Sequence, residues 1–174
     1  MEAYFDNSAT TIVTDSVKDI VVKTMTEDFG NPSAMHMVGV KAEKYIKEAQ
    51  ENIAKILKVD PKEIFFTSGG TESNNMAIIG TAMANKRKGN KIITTSVEHS
   101  SVLATMKYLE EQGFEVIYLP VDRYGVVQME ALEKEMTEDT ILVSTMYVNN
   151  EVGAIEPVGE IGQYIKKKKP SVVY

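Results

Sequence analysis

Three short stretches carry the residue types that could do chemistry together. Ser68-Gly69-Gly70-Thr71 follows the apolar run Ile64-Phe65-Phe66 and precedes a helical pattern. A strand, a tight glycine turn and a helix start place backbone N–H groups where they can meet an anion. Glycine lets the chain bend and lets a phosphate come close. A helix N-terminus adds unpaired donors and partial positive charge. Val97-Glu98-His99 then brings an imidazole to the end of the next predicted strand, Lys91 to Thr95. Asn149-Asn150 follows a third strand-like run, Thr140 to Ser144. An anion seat beside an imidazole suggests a phosphorylated cofactor. Each stretch also has a plainer reading: a turn at Ser68–Thr71, a helix-start histidine at His99, a turn pair at Asn149-Asn150. The first is no P-loop, because no Lys follows the glycines, and G-x-G-x-x-G is absent.

The elements that must position these residues are legible from periodicity. A helix capped by Thr14 or Asp15 runs from Ser16 to about Glu27, with Val17, Ile20, Val21 and Met25 on one face. Gly30 and Pro32 break it. A long helix then reaches Leu57, with Ala42, Tyr45, Ile46, Ala49, Ile53, Ile56 and Leu57 at the spacing of one buried face. Asp60-Pro61 marks a turn. Beyond it, strands and helices alternate. Strands are predicted at 64–67, 91–95, 114–119 and 140–145, and another begins at Ser171. Helices are predicted at 71–87, 100–112, 129–136 and 158–168. That alternation specifies an α/β layer with a mostly parallel sheet. In such sheets ligands sit beyond the carboxyl ends of the strands. Ser68–Thr71, His99 and Asn149-Asn150 all follow strands, so they are expected on one rim.

Bulk properties narrow the classes. The chain has 174 residues, 43% hydrophobic and 25% charged, enough for a real core. No apolar stretch approaches the roughly 18–20 residues of a membrane span, and Glu2 and Asp6 stand where a signal peptide needs other residues. A cytoplasmic protein is expected, with no membrane partner. The net charge of −6 argues against nucleic acid as a partner. Lys166 to Lys169 reads as the solvated C-terminal end of a helix. Packing is the expected role of Met76 and Met83, which lie within the 71–87 helix. Cysteine is absent, which excludes disulfides, thiolate metal sites and any cysteine nucleophile within this sequence. With two histidines far apart, no metal site is expected.

Taken with Tyr4-Phe5-Asp6-Asn7-Ser8-Ala9-Thr10-Thr11, Phe29-Gly30-Asn31-Pro32-Ser33 and His36, and Tyr147-Val148-Asn149-Asn150-Glu151-Val152-Gly153, these segments in this order resemble the N-terminal part of the cysteine desulfurases. Those are pyridoxal 5′-phosphate (PLP) enzymes of the class V aminotransferase family, within the aspartate-aminotransferase-like superfamily. The resemblance runs from Tyr4 to Tyr174. It implies a truncated three-layer PLP-dependent transferase large domain. Residues 1–14 would line the site, and residues 15–174 would form an incomplete PLP-binding domain. It implies that Gly70 and Thr71 hold the phosphate, and that His99 stacks on the pyridine ring and assists proton transfer. Asn150 would bond the phenolic oxygen or the substrate carboxylate region. Asn7 and His36 would line the substrate entrance, and Glu151 would orient neighbours. Glu72 and Glu98 read as structural groups.

The same resemblance expects, beyond Tyr174, a His-x-Asp-Ala-x-Gln segment, a Ser-x-His-Lys segment whose Lys forms the Schiff base, a substrate-binding arginine and a sulfur-accepting cysteine. None is present, so this polypeptide alone is expected to be inactive. The parent would convert L-cysteine to L-alanine and pass a persulfide to an acceptor, such as an iron–sulfur scaffold or a tRNA-thiolation factor. It would be a homodimer. Alternatives on the same residues are a selenocysteine lyase or another class V relative, and a natural half-protein acting as a binding or assembly module.

Overall fold

The computed structural model describes residues 3–174. The chain divides into two compact units, Met1–Phe66 and Thr67–Tyr174.

The N-terminal unit is built on two helices, α1 (Asp15–Thr26) and α2 (Met37–Leu57), followed by a single 3₁₀ turn at Pro61–Glu63. Thr14 is the N-cap of α1, but its hydroxyl contacts Ser16 Oγ at 3.2 Å instead of a backbone N–H. Asp60 caps the 3₁₀ turn from both sides: Lys62 N–H donates to its carboxylate, and its own N–H donates to Glu63. The stripes expected to be buried are largely not. Within α2 only Gly39, Ala42 and Ala54 are buried, and α1 buries none. Val17, Ile20, Val21 and Met25 of α1 are exposed, as are Ile46, Ile56 and Leu57 of α2. A unit of this size encloses little volume for two apolar faces.

The predicted strand at 64–67 is not one. Ile64 is extended, at φ −95° and ψ 118°, but its carbonyl accepts a hydrogen bond from Gln50 Nε2 at 3.0 Å instead of a ladder partner. Phe65 and Phe66 are exposed. Composition favours an extended backbone there; a strand also needs a neighbour, and none pairs with it among the described residues.

The second unit is the α/β layer. In chain order it holds α3 (Gly70–Asn85), β1 (Lys91–Thr95), α4 (Ser100–Glu111), β2 (Glu115–Leu119), α5 (Met129–Glu135), β3 (Thr140–Ser144) and α6 (Val158–Lys168). The sheet order is β2-β1-β3, with both pairs parallel. Val173 adds a parallel bridge to Leu142, so the strand expected from Ser171 is reduced to one pairing.

Alternation along β1 assigns the two faces. Ile92 packs with Ile78 and Ala82 of α3 and with Val102, Met106 and Leu109 of α4. Ile93 packs with Leu132 of α5 and with Ile161 and Ile165 of α6. Two helices therefore cover each face, giving three layers. Burial of each isoleucine contributes about 1.5–3 kcal/mol. Met106 and Met136 fill the core, whereas Met76 and Met83 are exposed, contrary to expectation, because the buried stripe of α3 runs through Ile78 and Ala82. Lys166, Lys167 and Lys168 form the exposed last turn of α6, and Lys169 Nζ donates to the Thr140 carbonyl at 3.1 Å.

Candidate functional site

The site is assembled at the carboxyl ends of β1 and β3 and the N-termini of α3 and α4. Gly70 and Thr71 open α3, with Gly69 as its N-cap. The first intrahelical bond is Ser73 N–H to the Gly69 carbonyl at 3.1 Å. The N–H groups of Gly70, Thr71 and Glu72 therefore have no acceptor within the helix. A Cβ added at Gly69 or Gly70 would meet no atom within 4 Å, so the glycine turn itself is uncrowded. Glu72 folds back onto Ser68. Its Oε2 accepts from both Ser68 Oγ and Ser68 N–H at 2.6 Å. The Ser68 hydroxyl and then its backbone N–H hold this carboxyl below the ordinary Glu value. The glycine turn is thus braced by Glu72 and leaves the Gly70, Thr71 and Glu72 N–H groups without a helical acceptor.

His99 is the N-cap of α4, just past β1, and its side chain is exposed. Its Nδ1 lies 2.8 Å from Ser101 Oγ and accepts from Ser101 N–H at 3.2 Å. Ser101 Oγ in turn accepts from Asn74 Nδ2 of α3 at 2.8 Å. The glycine-led helix and the histidine are therefore joined by two side-chain hydrogen bonds. A third link reinforces them: Thr105 Oγ1 donates to Asn75 Oδ1 at 3.0 Å.

The loop after β3 is tied to the same place. Glu98 is buried, and its Oε1 accepts from Thr95 Oγ1 at 2.8 Å and from Met146 N–H at 2.7 Å. Burial pushes its carboxyl above the ordinary Glu value, and the Glu156 carboxylate adds to that. Asn149 is buried and organises its own turn. Its Oδ1 accepts from Glu151 and Val152 N–H, each at 2.9 Å, while Nδ2 donates to the Val97 carbonyl at 3.0 Å. Asn150 stands exposed on that turn, its Nδ2 donating to Glu151 Oε1 at 2.8 Å.

Of the residues singled out from sequence, Gly70, Thr71, His99 and Asn150 thus lie on one hydrogen-bonded rim of the second unit. Asn7 and His36 belong to the first unit. Asn7 Nδ2 reaches the Tyr4 carbonyl at 3.5 Å, and His36 caps α2 by accepting from Gly39 N–H at Nδ1, 3.2 Å away. Sequence reasoning assigned no part to Asn74 and Ser101, and took Asn149 with Asn150 as a candidate pair or a turn pair without giving Asn149 a role of its own. The i to i+2 spacing of His99 and Ser101 was the available signal for a serine beside the ring nitrogen. The long-range bond from Asn74 had none.

These features define a class: an α/β protein with a glycine-led helix start bearing unpaired N–H groups, an exposed imidazole and an asparagine turn at the carboxyl ends of its strands. Residues 3–174 match the aminotransferase class-V family, and the chain belongs to it. The chain is 48% identical over 167 residues to a cysteine desulfurase IscS of Clostridium botulinum, a match covering 96% of this chain and 42% of that protein. Among solved structures, a NifS-like protein superposes with a TM-score of 0.95 at 47% identity, over 100% of this chain and 48% of its own. SspA in complex with cysteine superposes at 0.87 with 38% identity, over 94% of this chain and 47% of its own. The chain therefore spans less than half the length of these relatives.

Proposed function

We propose that this chain is the N-terminal part of a PLP-dependent cysteine desulfurase, with Gly70, Thr71, His99 and Asn150 forming the cofactor's protein seat. The observation that carries the reading is the hydrogen-bonded link from the open glycine helix start, through Asn74 and Ser101, to His99. The site fits the group: three N–H donors without a helical acceptor and an uncrowded glycine turn suit a phosphate monoester. PLP, when bound, supplies an electron sink for the substrate's α-carbon chemistry.

The chain's own residues bind and orient. The Gly70 and Thr71 N–H groups and the Thr71 hydroxyl hold the phosphate. The His99 ring face sets the plane of the pyridine, and its free nitrogen, Nε2, handles a proton at the substrate. Asn150 donates to the phenolic oxygen or the substrate carboxylate. Asn7 and His36 contribute to substrate binding. The substrate is L-cysteine, the products are L-alanine and a protein-bound persulfide, and the sulfur acceptor is a protein such as an iron–sulfur scaffold. The complete enzyme works as a homodimer in the cytoplasm.

The relatives' names and the cysteine complex of SspA favour cysteine over selenocysteine as substrate. The protein, purified from its own cells at its native length, is to be offered L-cysteine and L-selenocysteine in turn, with PLP present. The proposal expects L-alanine from both, with kcat/KM higher for L-cysteine. Release of L-alanine from L-selenocysteine alone would replace it with the lyase reading.

A further inference from the structure

We infer that Ser101, itself held by Asn74, is a positioning residue that fixes His99 as the Nε2–H tautomer. The direction of each hydrogen bond fixes where the proton sits. A backbone N–H can only donate, so the Ser101 N–H at 3.2 Å from His99 Nδ1 makes that nitrogen an acceptor carrying no proton. A proton on Nδ1 would set two N–H groups against each other. The Ser101 hydroxyl, 2.8 Å from the same nitrogen, has its own direction set from the other side. An amide Nδ2 also only donates, and Asn74 Nδ2 occupies a lone pair of Ser101 Oγ at 2.8 Å. The remaining Ser101 proton is then directed at Nδ1. The chain of donation runs amide to hydroxyl to imidazole, and the imidazole proton is left on Nε2.

Burial makes this ordering persistent. Ser101 is 8% exposed, so water does not compete freely for its hydroxyl. Its turn of α4 is pinned as well, because Thr105 Oγ1 lies 2.7 Å from the Ser101 carbonyl and 3.0 Å from Asn75 Oδ1, sharing its one proton between them. The ring itself is exposed. His99 is consequently presented to the site as a proton donor at Nε2, with its base nitrogen turned inward. The consequence for turnover rests on the proposed role of His99 at the cofactor; the tautomer does not.

The test is ¹⁵N NMR of the histidine-labelled, native-length protein at a pH where the ring is neutral. His99 is assigned by comparison with His36→Gln. The unaltered protein shows Nε2–H in clear excess. Asn74→Asp, which accepts from Ser101 and turns its hydroxyl away, and Ser101→Ala each shift the ratio toward Nδ1–H by roughly two- to ten-fold, the worth of one net hydrogen bond. Ser101→Thr keeps the original ratio. In L-cysteine turnover, Ser101→Ala lowers kcat by a similar factor with KM little changed, and Thr restores it. An unchanged tautomer ratio in both Asn74→Asp and Ser101→Ala overturns the inference. Should Ser101→Ala not fold, Asn74→Asp decides alone. A shifted ratio with undiminished turnover upholds the positioning and overturns the role of His99 in proton transfer.

Discussion

His99 serves two purposes with two nitrogens: Nδ1 caps α4 and Nε2 faces out. Asparagine is a good N-cap with no aromatic face. His99→Asn is therefore expected to unfold at nearly the wild-type temperature, within a few tenths of a kcal/mol, while L-cysteine turnover falls roughly 100-fold or more. Equal loss of stability and activity would mean that the ring is only a cap. Glu98 gives a pH prediction. Its carboxyl is raised from 4.5 by burial, so the folded state holds its proton more tightly than the unfolded state. Folding stability from this group is then full below 4.5 and declines as pH rises from there toward the raised value. In Glu98→Gln the side-chain amide keeps an Oε1 acceptor for Thr95 and Met146 and carries no charge. The melting-temperature gap between Glu98→Gln and the unaltered chain should widen in the variant's favour from about pH 4 to about pH 8; a constant gap would show that Glu98 ionises freely. At this scale, residue type and motif context made Gly70, Thr71, His99 and Asn150 legible as candidates in the sequence. The hydrogen bonds that brace them were not, because Asn74 and Ser101 lie 27 positions apart and meet only through the packing of α3 on α4.

The order and kind of nearly every element in the second unit follow from periodicity, because each helix and strand there has a partner that its pattern anticipates. The failure at 64–67 has the opposite cause: an apolar run specifies an extended backbone but cannot specify the neighbour that completes a ladder. In the first unit, period-3.6 stripes correctly gave α1 and α2, yet their burial depends on tertiary partners that no local pattern reports. One turn illustrates how backbone chemistry joins elements. Gly113 closes α4 at φ 88°, and Phe114 N–H returns to the Leu109 carbonyl at 3.0 Å before β2 begins. Nothing crowds its missing Cβ, so Gly113→Ala meets only the cost of a left-handed backbone. Urea unfolding should show a loss of about 1–2 kcal/mol with unchanged m-value. A neutral or stabilising result would mean the turn adopts another conformation at no cost.

For the whole molecule, the sequence contains no cysteine, so this 174-residue polypeptide offers no thiol to receive sulfur. Incubated alone with PLP and L-cysteine, it is expected to form no persulfide, as read by intact mass before and after reduction. On the proposed function, the glycine-led start of α3 seats the phosphate of a cofactor used on L-cysteine. The most direct test of this compares PLP-dependent L-alanine formation by the native-length protein with that of its Gly70→Asp variant. A carboxylate at a helix N-terminus is compatible with stability, and the space around Gly70 is open, so the variant should fold with a similar melting temperature. It would also put negative charge where the phosphate must sit. The predicted result is steady L-alanine release by the unaltered protein and a loss of at least about 100-fold in the variant at equal PLP, partly restored by excess PLP. Equal rates in two equally folded proteins would contradict the seat, and no L-alanine from a PLP-loaded unaltered protein would contradict the function.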